Sequence, residues 1–171
     1  MRLYHFTSLG HLPVILATGG LWRGEVPVGD GKESVRATWF TTDPDGAGHG
    51  LDGSSSDKRE VRIVVVFPRG DRRPVLWLKF ARKFLDADRI DTLVAKGGGK
   101  RKAETWYVCP EQIPREEFRA IEVRGPDGQY APATPEQIAA AVAHEGLHEA
   151  VVADFAEMRT KAPGRLTARH G

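Results

Sequence analysis

The sequence predicts an α+β fold in which two small sheets pack together, with peripheral helices and a long C-terminal helix. Three observations carry that expectation. Short runs of β-branched and aromatic residues recur at 37–42, 60–67, 106–108 and 118–123. Helical periodicity falls in scattered patches between them, without a regular alternation of strand and helix. A final stretch, about 134–160, opens with the helix-start residues Thr134-Pro135-Glu136 and carries Ile138, Val142, Val151, Phe155 and Met158 on one side.

The elements follow in order. Leu3 and Tyr4 favour an extended backbone that ends in His5 and turns at once. Thr7, Ser8 and Gly10 offer capping chemistry, and Leu12, Ile15 and Leu16 recur at helical spacing until Gly19-Gly20 ends the run. This places Pro13 in the helix's first turn. Residues 22–34 are glycine-rich and polar, and are expected to form a surface loop. Ala37 to Thr42 reads as a short strand closed by the turn Asp43-Pro44-Asp45-Gly46. Residues 43–58 are expected to be partly mobile, as a lid beside a cleft would be. Glu60 to Phe67 is the clearest strand, and Val75 to Leu78 suggests another. Lys79 to Asp88 and Arg89 to Lys96 carry apolar stripes of two helices, the second ended by Gly97-Gly98-Gly99. A basic loop, Lys100-Arg101-Lys102, then feeds the strand of Trp106, Tyr107 and Val108, with Glu104 at its start. Pro110 breaks that strand, and Phe118 to Val123 makes another before the Gly125-Pro126-Asp127-Gly128 turn. The tail after Pro163 reads as frayed.

Length and composition fit a single domain spanning residues 1–171, with its core in about 2–123. The longest apolar run, Val61 to Phe67, is interrupted by Arg62 and is too short to cross a bilayer. The N-terminus lacks a basic-then-apolar signal pattern, so a cytoplasmic protein with no membrane partner is expected. Cys109 is the only cysteine, which excludes an internal disulfide and a cysteine-rich metal site. A formal charge of +2 does not by itself imply nucleic-acid binding. The basic residues are nonetheless clustered, at Arg69, Arg72 and Arg73 and again at Lys100, Arg101 and Lys102.

Three anchors, in order, suggest chemistry: a histidine ending the first strand, an aromatic pair in the second, and a glutamate opening a late one. Tyr4-His5-Phe6-Thr7-Ser8 with Ile15-Leu16 and Gly20-Leu21, Thr38-Trp39-Phe40, and Glu104-Thr105-Trp106-Tyr107-Val108 with Gln112-Ile113 together resemble the ADP-ribosyltransferase superfamily. They look most like its H-Y-E branch, which includes diphtheria toxin and the poly-ADP-ribose polymerases. The opening is also similar to RNA 2′-phosphotransferases and to bacterial toxins that ADP-ribosylate DNA. The resemblance covers about residues 2 to 123. Phe6 stands where the family has glycine and Trp39 where it has tyrosine, and Lys102 occupies the place of the second glutamate of arginine-modifying toxins.

The resemblance implies an ADP-ribosyltransferase-like fold and an enzyme that transfers ADP-ribose from NAD to a macromolecule, with NAD as co-substrate and no metal. Cleaving the nicotinamide–ribose bond develops positive charge on the ribose, which a carboxylate can stabilise. By resemblance, Glu104 bonds the nicotinamide-ribose 2′-hydroxyl and His5 the adenosine ribose. The Phe6 backbone grips the carboxamide, the Thr7 hydroxyl adds a contact, and Trp39, with Phe40 beside it, stacks on nicotinamide. Lys100, Arg101 and Lys102 would meet an acceptor, protein or nucleic acid, the latter through its phosphates. A bacterial or phage toxin or effector of this kind would have a target protein or an antitoxin as partner. An NAD-hydrolysing enzyme and an RNA 2′-phosphotransferase-like activity stay open within the same fold.

Two further classes compete. His144-Glu145-Gly146-Leu147-His148 matches H-E-x-x-H, in which His144 and His148, one helical turn apart, would hold zinc for a hydrolase. The extended pattern that supplies a third histidine is missing, and Gly146 weakens the helix by about 1 kcal/mol. A non-catalytic module binding NAD or nucleic acid is the other alternative, suggested by Phe6 and Trp39.

Overall fold

A computed structural model of the chain describes residues 1–28, 33–51 and 56–142. The first strand, β1 (Arg2–Thr7), leads through a single 3-10 turn at Leu9–His11 into α1 (Leu12–Ala17). Pro13 lies in the first turn of α1, where its missing N–H costs nothing, and Leu12, Val14 and Leu16 are buried. Two short strands follow, β2 (Gly20–Leu21) and β3 (Gly24–Val28). At Gly20 the backbone of β8 (Ile113–Pro114) comes so close that a Cβ would lie 2.2 Å from the Ile113 carbonyl oxygen. The remaining elements are β4 (Glu33–Thr41), β5 (Val61–Val66), β6 (Val75–Leu76), α2 (Trp77–Ala81), α3 (Ala87–Lys96), α4 (Lys100–Ala103), β7 (Trp106–Cys109), β9 (Phe118–Arg124), β10 (Tyr130–Pro132) and α5 (Pro135–Val142).

The architecture is mixed α+β. One large antiparallel sheet runs β10-β9-β5-β1-β4-β7-β6, β3 adds to β4, and β2 and β8 form a separate two-stranded sheet. The expectation of two small packed sheets is thereby corrected. β4 is long enough to pair with β1, β7 and β3, and so joins into one sheet strands that read separately in the sequence. The expected loop at 22–34 is also corrected, since β3 and the start of β4 pair there from Gly24 opposite Ala37 to Val28 opposite Glu33. That ladder is made by backbone groups, so it does not require the apolar residues the segment lacks.

Three helix boundaries move as well. α2 starts at Trp77 and ends at Ala81, after which Lys83 and Phe84 amides bond only three residues back and tighten the chain into a turn. Asp86 then caps α3 by accepting from the Arg89 amide at 2.7 Å. The expected basic loop at 100–102 is a one-turn helix, α4. Of the expected helix at about 134–160, residues 135–142 are described, and the remainder, with His144 and His148, lies outside the described residues.

Alternation along the strands sorts the sheet into two faces. Leu3, Ile63, Val65, Phe40 and Cys109 look toward α1, with Ile138 of α5 packed against them. On the opposite face Ala37, Trp106 and Val108 meet Trp77, Phe80 and Ala81 of α2, with Ile90, Leu93 and Val94 of α3 alongside. Nearer β9, this second face is polar and aromatic. Arg62 lies over Tyr4 and Tyr130, 5.1 and 4.2 Å from their ring centres, and pairs with Glu122 at 2.6 Å. Among the described residues no helix is long and apolar enough to cross a membrane.

Candidate functional site

β1 holds β4 through one registered pair, Tyr4 opposite Thr41, and nearer the start of β4 that same strand is paired with β3. The sheet therefore forks between the end of β1 and the β3–β4 pair. At the fork the Trp39 carbonyl lies beyond the registered pair, and His5 Nδ1–H donates to it at 2.8 Å. A carbonyl only accepts, so Nδ1 carries the proton and Nε2 keeps its lone pair. Burial pushes the His5 pKa down to about 4, against the pull of the Trp39 carbonyl and with the charges of Lys58 and His11 acting in the same direction as burial. At neutral pH His5 is thus a neutral, fixed imidazole, suited to accept from a hydroxyl. Its ring meets Phe40 edge-on at 5.9 Å.

The pleat separates the predicted site residues. His5 and Thr7 share the face of Leu3, with Thr7 buried, whereas the Phe6 ring points through to the other face. There it stacks on His49 at 6.4 Å and tilts against Tyr130 at 5.9 Å. A ligand on the His5 side would meet Phe6 through its backbone alone. Phe40 lies in the core on the His5 side, and Trp39 packs on the opposite face against Trp77 and Trp106, at 5.7 and 6.3 Å.

Glu104 closes α4 as its C-cap and is exposed, and its side chain makes no hydrogen bond or ion pair with a described residue. His5 and Trp39 lie on the neighbouring strands β1 and β4, and Glu104 closes the helix that leads into β7, the next strand over. Their register sets the spacing. Tyr4, Thr41 and Trp106 lie in one row across the sheet. Glu104 precedes that row at the end of α4, with β4 between its strand β7 and the β1 of His5. The structure brings His5 together with Phe40 and with the Trp39 main chain, and holds Glu104 apart from them.

A clasp on the far face escaped the sequence reading. Trp106 Nε1–H donates to His49 Nδ1 at 2.8 Å, which leaves His49 Nε2–H to donate to Asp43 at 3.3 Å. The same Asp43 oxygen accepts from Lys102 Nζ at 2.6 Å. Burial first, then the Lys102 charge, lowers the His49 pKa despite the opposing pull of Asp43. For Asp43, burial works against the charged form, but the bonds from Lys102 and the Asp45 amide outweigh it and hold the carboxyl below its ordinary range. Glycines let the two segments interlock, because a Cβ on Gly98 would lie 2.0 Å from the Gly48 carbonyl oxygen. Residues 43–51 are thus tied to the turn that precedes Glu104, and Lys102 is engaged while Lys100 and Arg101 stay exposed. The only local trace of this in the sequence is His49 flanked by Gly48 and Gly50.

No group of three or more metal-ligating side chains occurs among the described residues. Comparison of the chain with protein-family models, with curated proteins and with solved structures finds no match.

Proposed function

We propose that this chain is an NAD-dependent mono-ADP-ribosyltransferase, a toxin or effector acting at the β1–β4 fork on a macromolecular acceptor. The observation that carries the reading is His5, a neutral imidazole anchored at a break in the sheet with an acceptor nitrogen to spare. That nitrogen suits a ribose hydroxyl. The exposed Glu104 carboxylate, without a partner among the described residues, suits a second one. A dinucleotide carries a ribose at each end of a diphosphate, which matches two ribose-binding groups set well apart in one block of neighbouring strands.

In this reading the bond between nicotinamide and C1′ breaks with its electron pair leaving on nicotinamide. Glu104, accepting from the 2′-hydroxyl, stabilises the positive charge left on the ribose. The acceptor's nucleophile then bonds C1′ and releases its proton to solvent. Lys100 and Arg101, beside Glu104 in the chain, meet an anionic acceptor.

The test is Glu104→Gln. Nicotinamide release should fall at least about 100-fold while NAD affinity by calorimetry changes less than about threefold, because the carboxylate acts on charge present only in the transition state. Undiminished release, or no binding of NAD by the unaltered protein, would refute the proposal.

A further inference from the structure

Three polar groups gather where β1 ends, beyond the fork. Buried Ser8 bonds His11 Nδ1 through its hydroxyl at 2.7 Å, which leaves Nε2 of this exposed imidazole available to a ligand. Lys58 precedes β5, whose first residue, Val61, pairs with Thr7 at the end of β1. Both carboxylates nearest Lys58 in the chain accept hydrogen bonds, Glu60 from the turn that carries His11. Asp57 accepts from the Arg59 amide and Nε at 2.9 and 3.0 Å, and Glu60 accepts from the Leu9 amide at 2.9 Å. Lys58 itself is partly buried and makes no ion pair among the described residues. Lys58 and His11 are also near enough for their charges to oppose protonation of His5. A half-buried cation without an ion pair among the described residues, on a segment bonded through Glu60 to the turn of a histidine with a free ring nitrogen, is chemistry suited to an anion.

We propose that Lys58 and His11 form a subsite for a phosphate carried by the ribose that His5 holds. The inference rests on the ribose-binding role given to His5 above. Direction selects a phosphate on that ribose over the diphosphate joining two riboses. Trp106, the first residue of β7, lies in the row of Tyr4 with Glu104 just before it in the chain, whereas the segments of Lys58 and His11 lie past Thr7 at the end of β1. A linker running toward Glu104 leads away from them. A 2′-phosphate would present its oxygens to Lys58 as a point charge. With the Ser8 hydroxyl donating to Nδ1, His11 Nε2–H would donate to the phosphate. Such a phosphate occurs on a dinucleotide, as in NADP, or on the end of an RNA.

The experiment is calorimetric titration of the full chain with NAD, with NADP and with a short RNA bearing a terminal 2′-phosphate. It is repeated for Lys58→Ala and His11→Gln, whose folding is checked by thermal melting. NADP should bind about tenfold more tightly than NAD, and the ratio should fall to about one in each variant. Equal affinities in the unaltered protein, or a ratio that survives both substitutions, would overturn the subsite. Binding of the phosphorylated RNA alone, weakened in both variants, would keep the subsite, assign it to RNA and remove the NAD reading. NAD binding without any preference for NADP would remove the subsite and keep the transferase reading. Binding of none of the three would remove both.

Discussion

Replacing His5 by asparagine separates the imidazole's hydrogen bond from its titration. The asparagine amide can still donate to the Trp39 carbonyl, and it has no proton to gain in acid. In the native protein, burial holds His5 neutral down to about pH 4, whereas in the unfolded chain it takes up a proton near 6.5. The unfolded state therefore binds more protons as the pH falls through this interval. The neutral imidazole's contribution is fully present above 6.5, declines between 6.5 and about 4, and is constant below. At roughly 1.4 kcal/mol per pH unit the decline amounts to about 3 kcal/mol. Urea unfolding of both proteins, at steps from pH 7.5 to 4, measures it as the narrowing of the gap between the two stability curves. His49 and the carboxylates titrate in both proteins and cancel in that gap. A gap that stays constant, or widens in acid, would refute the assignment of His5 as a buried neutral group.

Other substitutions test the rest of the site's framework. Gly97→Ala places a Cβ 2.0 Å from Trp106 Cη2 and should cost about 1–3 kcal/mol. Gly19→Ala meets open space at φ 78° and should cost about 1 kcal/mol from the backbone alone. Urea midpoints in the reverse order would contradict the packing at Gly97. Trp106→Phe leaves His49 Nδ1 without its donor and should destabilise by about 1–3 kcal/mol. It should also let His49 protonate at a higher pH, which NMR titration of the ring would show. Arg62→Lys keeps the charge and loses the planar contact with Tyr4 and Tyr130, so it should recover less than half of the stability lost in Arg62→Ala.

The features legible in the sequence are those with local causes. Leu3 to Thr7, the helix begun near Pro13 and its end at Gly19-Gly20 each depend on neighbours within a turn, as does the buried run of β5. β3 escaped because its apolar alternation is limited to Val26 and Val28, on either side of Pro27. α4 escaped because Lys100, Arg101 and Lys102 bury little and show no helical stripe. Joining the strands into one sheet depends on the length and partners of β4, which no local pattern encodes. The candidate site divides in the same way. His5 and Glu104 were visible as residue types in an order, but the distance between them is a matter of register across β1, β4 and β7. The clasp of Asp43, His49, Lys102 and Trp106 joins segments remote in sequence, and without their meeting His49 is one more loop histidine.

The order of strands also bears on how the chain acquires its structure. β1, the first of these strands in chain order, lies in the middle of the large sheet, and its full-length partner is β5, which in turn pairs with β9. Among the ladders of this sheet, β3–β4 and β9–β10 join strands separated by fewer than ten residues. The others close long loops before any packing rewards them, a pattern associated with folding in milliseconds to seconds rather than microseconds. On the ribosome, residues 2–7 emerge without their full-length partner and stay so until β5 has followed them out. That interval is the chain's main exposure to misassociation, so the yield of folded protein should depend on translation speed and chaperone supply.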